Sequence, residues 1–431
     1  MQRKLVSAAA ALLLPIICPA AALKVLHAFR GSPDGSAPES NLIFDAEGNL
    51  YGTTYAGGNG SACVAGCGTV FQLTPDGSGG FAERVIHSFQ GPLIDGQNPQ
   101  APLIFDALGN LYGATYSGGQ SVRRASGTVF KLAPNPDGSW TETVLHSFNG
   151  ALDGGHDGGD LQGGLVFDQA GNLYGTTAGG GTGTGCGAGP ASGCGTVFEL
   201  SPTPVGDWQE TILHNFTNDR SDGWNPESGL IFDAAGSLYG TTFYGGSAPM
   251  GGGTVFKLTP ASGGWQESVL HSFTCAADGC SPYSGLVFDT GGNLYGTTVG
   301  GGDTEGDGTA FKLSPSAAGL WTETVIHTFT RGQDGIQPYG GPILDAAGNV
   351  YGTTLNGGGG TFTGCADGCG TVYELIPAAG GYTETILVRF GNGGRGIGPL
   401  AGLGRDAQGN LYGAAAFGGP DGAGVVFEVV P

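Results

Sequence analysis

The chain repeats itself. Asp45-Ala-Glu-Gly-Asn-Leu-Tyr-Gly52 recurs with small changes from Asp106, Asp168, Asp233, Asp289, Asp345 and Asp406, at intervals of 61, 62, 65, 56, 56 and 61 residues. A period this long confines the fold to stacked or radial repeats, in which no unit buries its apolar face without its neighbours. It overrides the multidomain expectation that 431 residues would otherwise raise. The 89 glycines and 24 prolines would suggest disorder in an aperiodic chain. Here they punctuate apolar segments at fixed places and read as turns.

The second copy shows the unit. Leu103-Ile-Phe-Asp106 is a short apolar run, and Ala107 to Asn110 is a turn in which Gly109 is free to take positive φ. Asn110 to Thr115 is a second strand. Beyond a loop, Gly127-Thr-Val-Phe-Lys-Leu132 is a third strand, rich in strand formers, and Trp140 to Phe148 is a fourth. A lone four-stranded sheet leaves both faces wet, whereas seven arranged radially bury them against one another. The chain is therefore predicted to be all-β: a seven-bladed β-propeller with four antiparallel strands per blade. Burial on both faces suits the near-continuous Leu-Ile-Phe and Thr-Val-Phe runs. A β-solenoid is the alternative at this period.

The chain ends favour the ring. The last copy stops at its third strand, Val425 to Val430, while Leu23-Lys-Val-Leu-His-Ala-Phe29 matches the fourth strand of the other copies. The N-terminal strand is predicted to complete the last blade, an arrangement for which a solenoid has no use.

Before Leu23, Arg3 and Lys4, the apolar run Leu5 to Cys18 and Ala20-Ala21-Ala22 form a secretory signal pattern. The expected division is a signal peptide over 1–22 and one propeller domain over 23–431, secreted, periplasmic or at the cell surface. A lipid-anchored Cys18 is the rival, with Ile17 bulky where a small residue is normal. The formal charge of −21 becomes −23 without Arg3 and Lys4. Such acidity argues against nucleic acid and anionic membrane surfaces as partners, and no later segment is long and apolar enough to span a membrane.

Spacing within the repeat separates scaffold from variable loop. From each repeat Asp to the glycine that opens strand three (Gly68 in the first copy, Gly424 in the last) the count runs 23, 21, 27, 20, 19, 25 and 18. The freedom lies between strands two and three, on the rim that also carries the links between blades, and long variable loops on a rigid scaffold are where binding resides. Four local cysteine pairs, Cys63/Cys67, Cys186/Cys194, Cys275/Cys280 and Cys365/Cys369, are expected to form disulfides. The first, second and fourth staple the three longest loops, and the third lies in a link. Thiolate metal binding is the alternative, but pairs on different blades do not converge readily.

Candidate chemistry is sparse. Histidine recurs in strand four at His27, His87, His146, His214, His271 and His327, with Val388 in the sixth copy; a single reactive site does not need six copies of its base, so a shared packing or hydrogen-bonding role is expected. Asp-Gly recurs in the links at Asp34, Asp95, Asp153, Asp222, Asp278 and Asp334, either as turn chemistry or as a ring of carboxylates for cations or sugar hydroxyls. With the unrepeated His156 these are the candidate binding residues. Asp303, Glu305 and Asp307 resemble half of a calcium loop but lack the closing Glu, Ser314 standing there. Calcium is the one cofactor expected as an option. No nucleophile-elbow, phosphate-loop or zinc-protease motif occurs.

The core Asp289-Thr-Gly-Gly-Asn-Leu-Tyr-Gly-Thr-Thr298, with Gly253-Thr-Val-Phe-Lys-Leu258, resembles the GloVer-type tandem repeat of exported bacterial proteins across the mature chain. The resemblance implies export and a repeat fold, and no reaction. The blade pattern is also similar to NHL and SMP-30-like propellers, which include binding modules and metal-dependent lactonases. The expected function is an exported scaffold that binds an extracellular protein or polysaccharide through its long-loop face. The alternatives are an extracellular hydrolase or lyase acting on carbohydrate or lactone through carboxylates, and an envelope component.

Overall fold

The computed structural model describes residues 21–119, 126–150, 156–186, 193–359, 365–391 and 394–431, and among these there is no helix. Seven four-stranded antiparallel sheets stand in a ring, a seven-bladed β-propeller. Blade 1 is Ile43–Phe44, Leu50–Thr54, Thr69–Pro75 and Phe81–Ser88, hydrogen-bonded in that order from hub to periphery. Blades 2 to 6 repeat it. Blade 7 takes Gly404–Arg405, Leu411–Ala415 and Val425–Val430 from one end of the chain and Ala22–Ala28 from the other. Ala22 pairs with Val430 and Ala28 with Val425, so the N-terminal strand closes the ring as predicted. It starts at Ala22, one residue before the expected domain boundary; residues 1–20 of the expected signal lie outside the described residues.

The repeat motif serves both a turn and a seam. Asp45 Oδ1 accepts the amides of Glu47 and Asn49 at 3.0 and 2.9 Å, and Oδ2 accepts Asn49 Nδ2 at 2.6 Å and the Tyr51 hydroxyl at 3.0 Å. The turn is thus built on one carboxylate. Tyr51, so oriented, meets Phe105 of the next blade edge-to-face at 5.2 Å, and in the last copy Tyr412 meets Phe44 of blade 1 at 5.1 Å. In blade 4 Ser237 replaces the Asn and keeps the backbone bond to Asp233 at 2.8 Å. The glycine after each Tyr is required by packing: a Cβ on Gly175 would lie 2.6 Å from the Phe198 ring.

On the opposite rim each link lies against the loop that leaves strand two. Gly35 pairs with Gly57, Gly96 with Gly118, Gly223 with Gly245 and Gly335 with Gly357. Links and long loops therefore share one rim, as the strand order requires. Beneath this rim Thr54 and Thr69 hydrogen-bond through their hydroxyls at 2.8 Å, and five more blades repeat the pair. Blade 7 has Ala415 opposite Val425 there.

Three cysteine pairs are joined: Cys63–Cys67, Cys186–Cys194 and Cys365–Cys369. The expected fourth bridge is not formed, and Cys275 and Cys280 are adjacent free thiols. Their backbone is already held without it. The Cys275 amide donates to Gly279 at 3.1 Å, and Cys280 exchanges backbone bonds with Gly300 at 2.7 and 3.0 Å.

Candidate functional site

A cavity of about 260 Å³ opens on the axis at the long-loop rim. It is built from the residues that lead into the innermost strand of every blade. Four positions before each repeat Asp stand Asn41, Pro102 and five glycines, packed ring-wise so closely that a Cβ on Gly229 would lie 3.0 Å from the Gly164 amide. These backbones form the floor. Two positions earlier, seven side chains make the wall: Glu39, Gln100, Gln162, Glu227, Tyr283, Tyr339 and Leu400.

The wall is held from below and above. Small residues between floor and wall tie the blades together, as where the Thr176 hydroxyl donates to Ser228 O at 2.7 Å and the Thr353 hydroxyl to Ala401 O at 2.8 Å. Two residues before each wall side chain the backbone is left-handed, with φ near +60° at Ala37, Asn98, Asp160, Asn225, Ser281, Gln337 and Gly398. Six non-glycine residues hold this costly conformation because their amides reach the preceding blade, as Asn225 N does to Cys194 O at 2.8 Å. The wall side chains are thereby aimed inward by a rigid frame.

Within the wall Gln100 Nε2 donates to Glu39 at 2.8 Å, and the Tyr283 hydroxyl donates to Gln162 Oε1 at 2.9 Å. Tyr283 and Tyr339 meet edge-to-face at 4.9 Å. Burial pushes the Glu227 carboxyl up to about 7, with Gln162 beside it opposing; burial also raises Glu39, against its bond from Gln100. Burial and these two carboxylates raise Tyr283 as well. An aromatic path leaves the cup over blade 4. Phe243 lies 6.3 Å from Tyr283 and 4.6 Å from Tyr244, which stacks on Trp224 at 4.4 Å across the rim ribbon. The corresponding pairs in the described ribbons are Ser36/Ala56, Gln97/Ser117 and Ile336/Asn356, so this aromatic pair is not part of the repeat.

The link aspartates do not line this cup. Each stands in a different seam between outer strands: Asp34, Asp95, Asp222, Asp278 and Asp334 lie 3.3, 3.3, 3.1, 3.4 and 3.2 Å from the Nε2 of the preceding blade's His. They also accept turn amides, Gly223 N reaching Asp222 at 2.7 Å. Turn chemistry and the shared role of the histidines are two sides of one contact. Asp153 lies outside the described residues, and its expected place in the repeat belongs to Asp157, 3.6 Å from His146. That link carries Asp-Gly twice, and the position is fixed by Gly158, whose Cβ would strike Thr177 as a Cβ on Gly35 would strike Thr54. His156 is exposed beside it.

A glutamate of the following blade completes each seam: Glu83, Glu142, Glu210, Glu267, Glu323 and Glu384, every one with a buried Oε1 that finds no hydrogen-bond partner in the protein. Burial raises Glu142 to about 6 and Glu267 and Glu323 to about 7. At the seam between blades 6 and 7 all three positions change together, to Val388, Arg395 and Leu23; Val388 and Leu23 share an apolar cluster with Leu387, and Arg395 lines the same hollow.

Asp303 accepts the amides of Glu305 and Gly306, both at 2.9 Å. Asp307 is buried, and Arg331 spans it at 3.3 Å, with Glu305 and Asp367 each at 3.9 Å. A guanidinium stands among these carboxylates.

Sequence reasoning missed the wall. Its signal was one column in an otherwise uniform repeat reading Glu, Gln, Gln, Glu, Tyr, Tyr, Leu, next to a Pro in six of the seven copies. Variation there looked like drift, because only closure of the ring brings the seven together.

No curated protein matches the chain. A solved structure of a protein from Lactobacillus plantarum superposes with a TM-score of 0.50 at 16% identity, over 84% of this chain and 88% of that one, a likeness of fold alone. The repeat itself is matched more directly: residues 16–188, 183–362 and 249–431 fit the profile of the Gloeobacter/Verrucomicrobia repeat. These matches span the blades, the closing strand and the cup, so the chain belongs to the Gloeobacter/Verrucomicrobia repeat family.

Proposed function

We propose that the protein is a binding module that takes the end of a polysaccharide chain into the axial cup and lays the rest over the aromatic path on blade 4. The observation that carries this is the unrepeated wall, where two carboxylates and two amides face two tyrosines across one small cavity. Sugar rings present hydroxyl edges and C–H faces; carboxylates and amides pair with the first, and aromatic faces cover the second. At about 260 Å³ the cup falls just below the roughly 300–1,000 Å³ of sites that enclose a small molecule, a size suited to a terminal unit. The outward path Phe243, Tyr244 and Trp224 would hold following units. An extracellular setting fits three disulfides, which persist in oxidising compartments.

A glycan array with the full chain, with and without calcium, tests this. Binding to a glycan that Tyr283→Ala and Glu227→Gln each weaken at least tenfold, with folding intact, is the expected result. Absence of any glycan binding, or binding indifferent to both substitutions, overturns it; so does selection of a peptide ligand through the same residues.

Glu227 favours a second reading. A carboxyl held near 7 in a cavity that a second carboxylate, Glu39, also lines supplies the two group types that glycosidic acid/base chemistry uses. Release of reducing ends from the bound glycan, lost in Glu227→Gln while binding persists, would support cleavage. A bound glycan that stays intact rules it out.

A further inference from the structure

The seam between blades 2 and 3 combines an unpaired histidine with two carboxylates gathered close to it. At four seams the histidine makes a hydrogen bond to its aspartate, at 3.3 Å for His27, 3.3 Å for His87, 3.1 Å for His214 and 3.2 Å for His327; His271, 3.4 Å from Asp278, makes none, but its seam is not one of those that gather imidazole and both carboxylates within 4.8 Å of one another. His146 makes none. Its Nε2 lies 3.6 Å from Asp157 and 3.8 Å from Glu210, and both this nitrogen and Glu210 Oε1 are buried without a hydrogen-bond partner in the protein. Asp157 is steadied from behind by Asn149, whose backbone and side-chain nitrogens donate at 3.3 and 3.2 Å.

These spacings match an ion. Ligand atoms about 2.1 Å from a metal in tetrahedral array stand roughly 3.4 Å apart, and here one imidazole nitrogen and two carboxylates lie within 4.8 Å of one another. That donor set suits zinc, manganese, iron or cobalt better than calcium, which prefers all-oxygen shells. The three side chains are 20%, 15% and 13% exposed, dry enough to hold an ion and open enough to admit one. Two other seams, His27/Asp34/Glu83 and His327/Asp334/Glu384, bring their three ligand atoms equally close. Their histidines already donate to aspartate, so an ion there must first displace a hydrogen bond. Simultaneous loss of all three side chains at the seam of blades 6 and 7 indicates that they act as a unit.

We propose that His146, Asp157 and Glu210 form a divalent transition-metal site that clasps blade 2 to blade 3. An ion there would replace the missing hydrogen bond and join two blades through residues 64 apart in sequence.

Titration of the chelator-treated full chain with cobalt(II), read by visible absorption and by the melting temperature, tests this. The expected result is one tight equivalent with ligand-field bands and a raised melting temperature. His146→Ala should weaken that equivalent at least about 100-fold and the near-isosteric Glu210→Gln at least tenfold, since even outer-shell changes cost 10–100-fold in metal affinity. His214→Ala, in a seam whose hydrogen bond is made, should leave it unchanged. No saturable binding, a tight equivalent that survives both His146→Ala and Glu210→Gln, or one that His214→Ala removes, would each overturn the assignment.

Discussion

Two rings of the same propeller can be compared position by position. On the rim away from the long loops, the seven copies of Asp45 all accept the hydroxyl of a Tyr six residues on, at 3.0 to 3.3 Å. At the hub on the other rim, the seven copies of the Glu39 position carry four different residue types. The backbone is equally regular in both places, the hub being framed by seven left-handed residues. Regular backbone with uniform side chains is what a scaffold needs. Regular backbone with divergent side chains gives a rigid cup one asymmetric lining, and a single ligand bound on the axis of a sevenfold ring needs that asymmetry. Repeated residues therefore report on stability here, and the unrepeated ones in a repeated frame are where the proposed recognition is to be tested.

The strongest way to break this comparison is to open the ring. Removing residues 22–29 leaves blade 7 with three strands, exposes the edge of Val425–Val430 and strips Phe29 from Phe71. Loss of the cooperative unfolding transition in calorimetry is expected; a chain that still melts as one unit would show that closure is not needed to hold the cup.

The two rings should also part under single substitutions. Asp168→Ala leaves Asn172 and Tyr174 without their acceptor and is expected to cost roughly 1–3 kcal/mol in urea unfolding. Glu227→Gln is expected to stay within about 0.5 kcal/mol while removing ligand. Equal losses in the two would erase the distinction between scaffold and cup.

A smaller effect follows from the seams. Glu142, Glu267 and Glu323, facing His87/Asp95, His214/Asp222 and His271/Asp278, are raised above their ordinary 4.5 chiefly by burial. A raised carboxyl contributes stability that is fully present below its unfolded value and lost as pH rises through its folded value. Melting temperature should therefore fall between about pH 5 and 8.5. His271, lowered by burial, acts oppositely: its stabilisation shrinks as pH drops through about 6.5, so the maximum lies at mildly acidic pH. A flat profile would mean that the seam glutamates are solvated. Smallest of all, a double-mutant cycle on His214 and Asp222, 3.1 Å apart, should give a coupling of about 0.5–1.5 kcal/mol.

Several features were legible from residues alone because they are local or periodic. The turn at Asp45, the strand runs and the displaced Leu23 segment follow from spacing, and the copy count decides the ring. Other features depended on contacts that spacing does not encode. Asp153 and Asp157 are equally good Asp-Gly turns in the chain, and only the fit of Gly158 against Thr177 chooses between them. Cys275 and Cys280 are as close in sequence as the bonded pairs, yet a backbone ribbon with Gly300 already holds their loop.

By itself the sequence determined the repeat, its four strands, the closing of the last blade by the first strand, and the rim on which loops and links gather. Each of these depends on periods and neighbours along the chain. The tertiary structure alone decided which residues meet across the axis and across the seams. Glu39 and Gln100 are 61 positions apart, and Gln162 and Tyr283 are 121 apart. Such residues become neighbours only because closing a ring converts a column of the repeat into a circle, and no separation along the chain records the diameter of that circle.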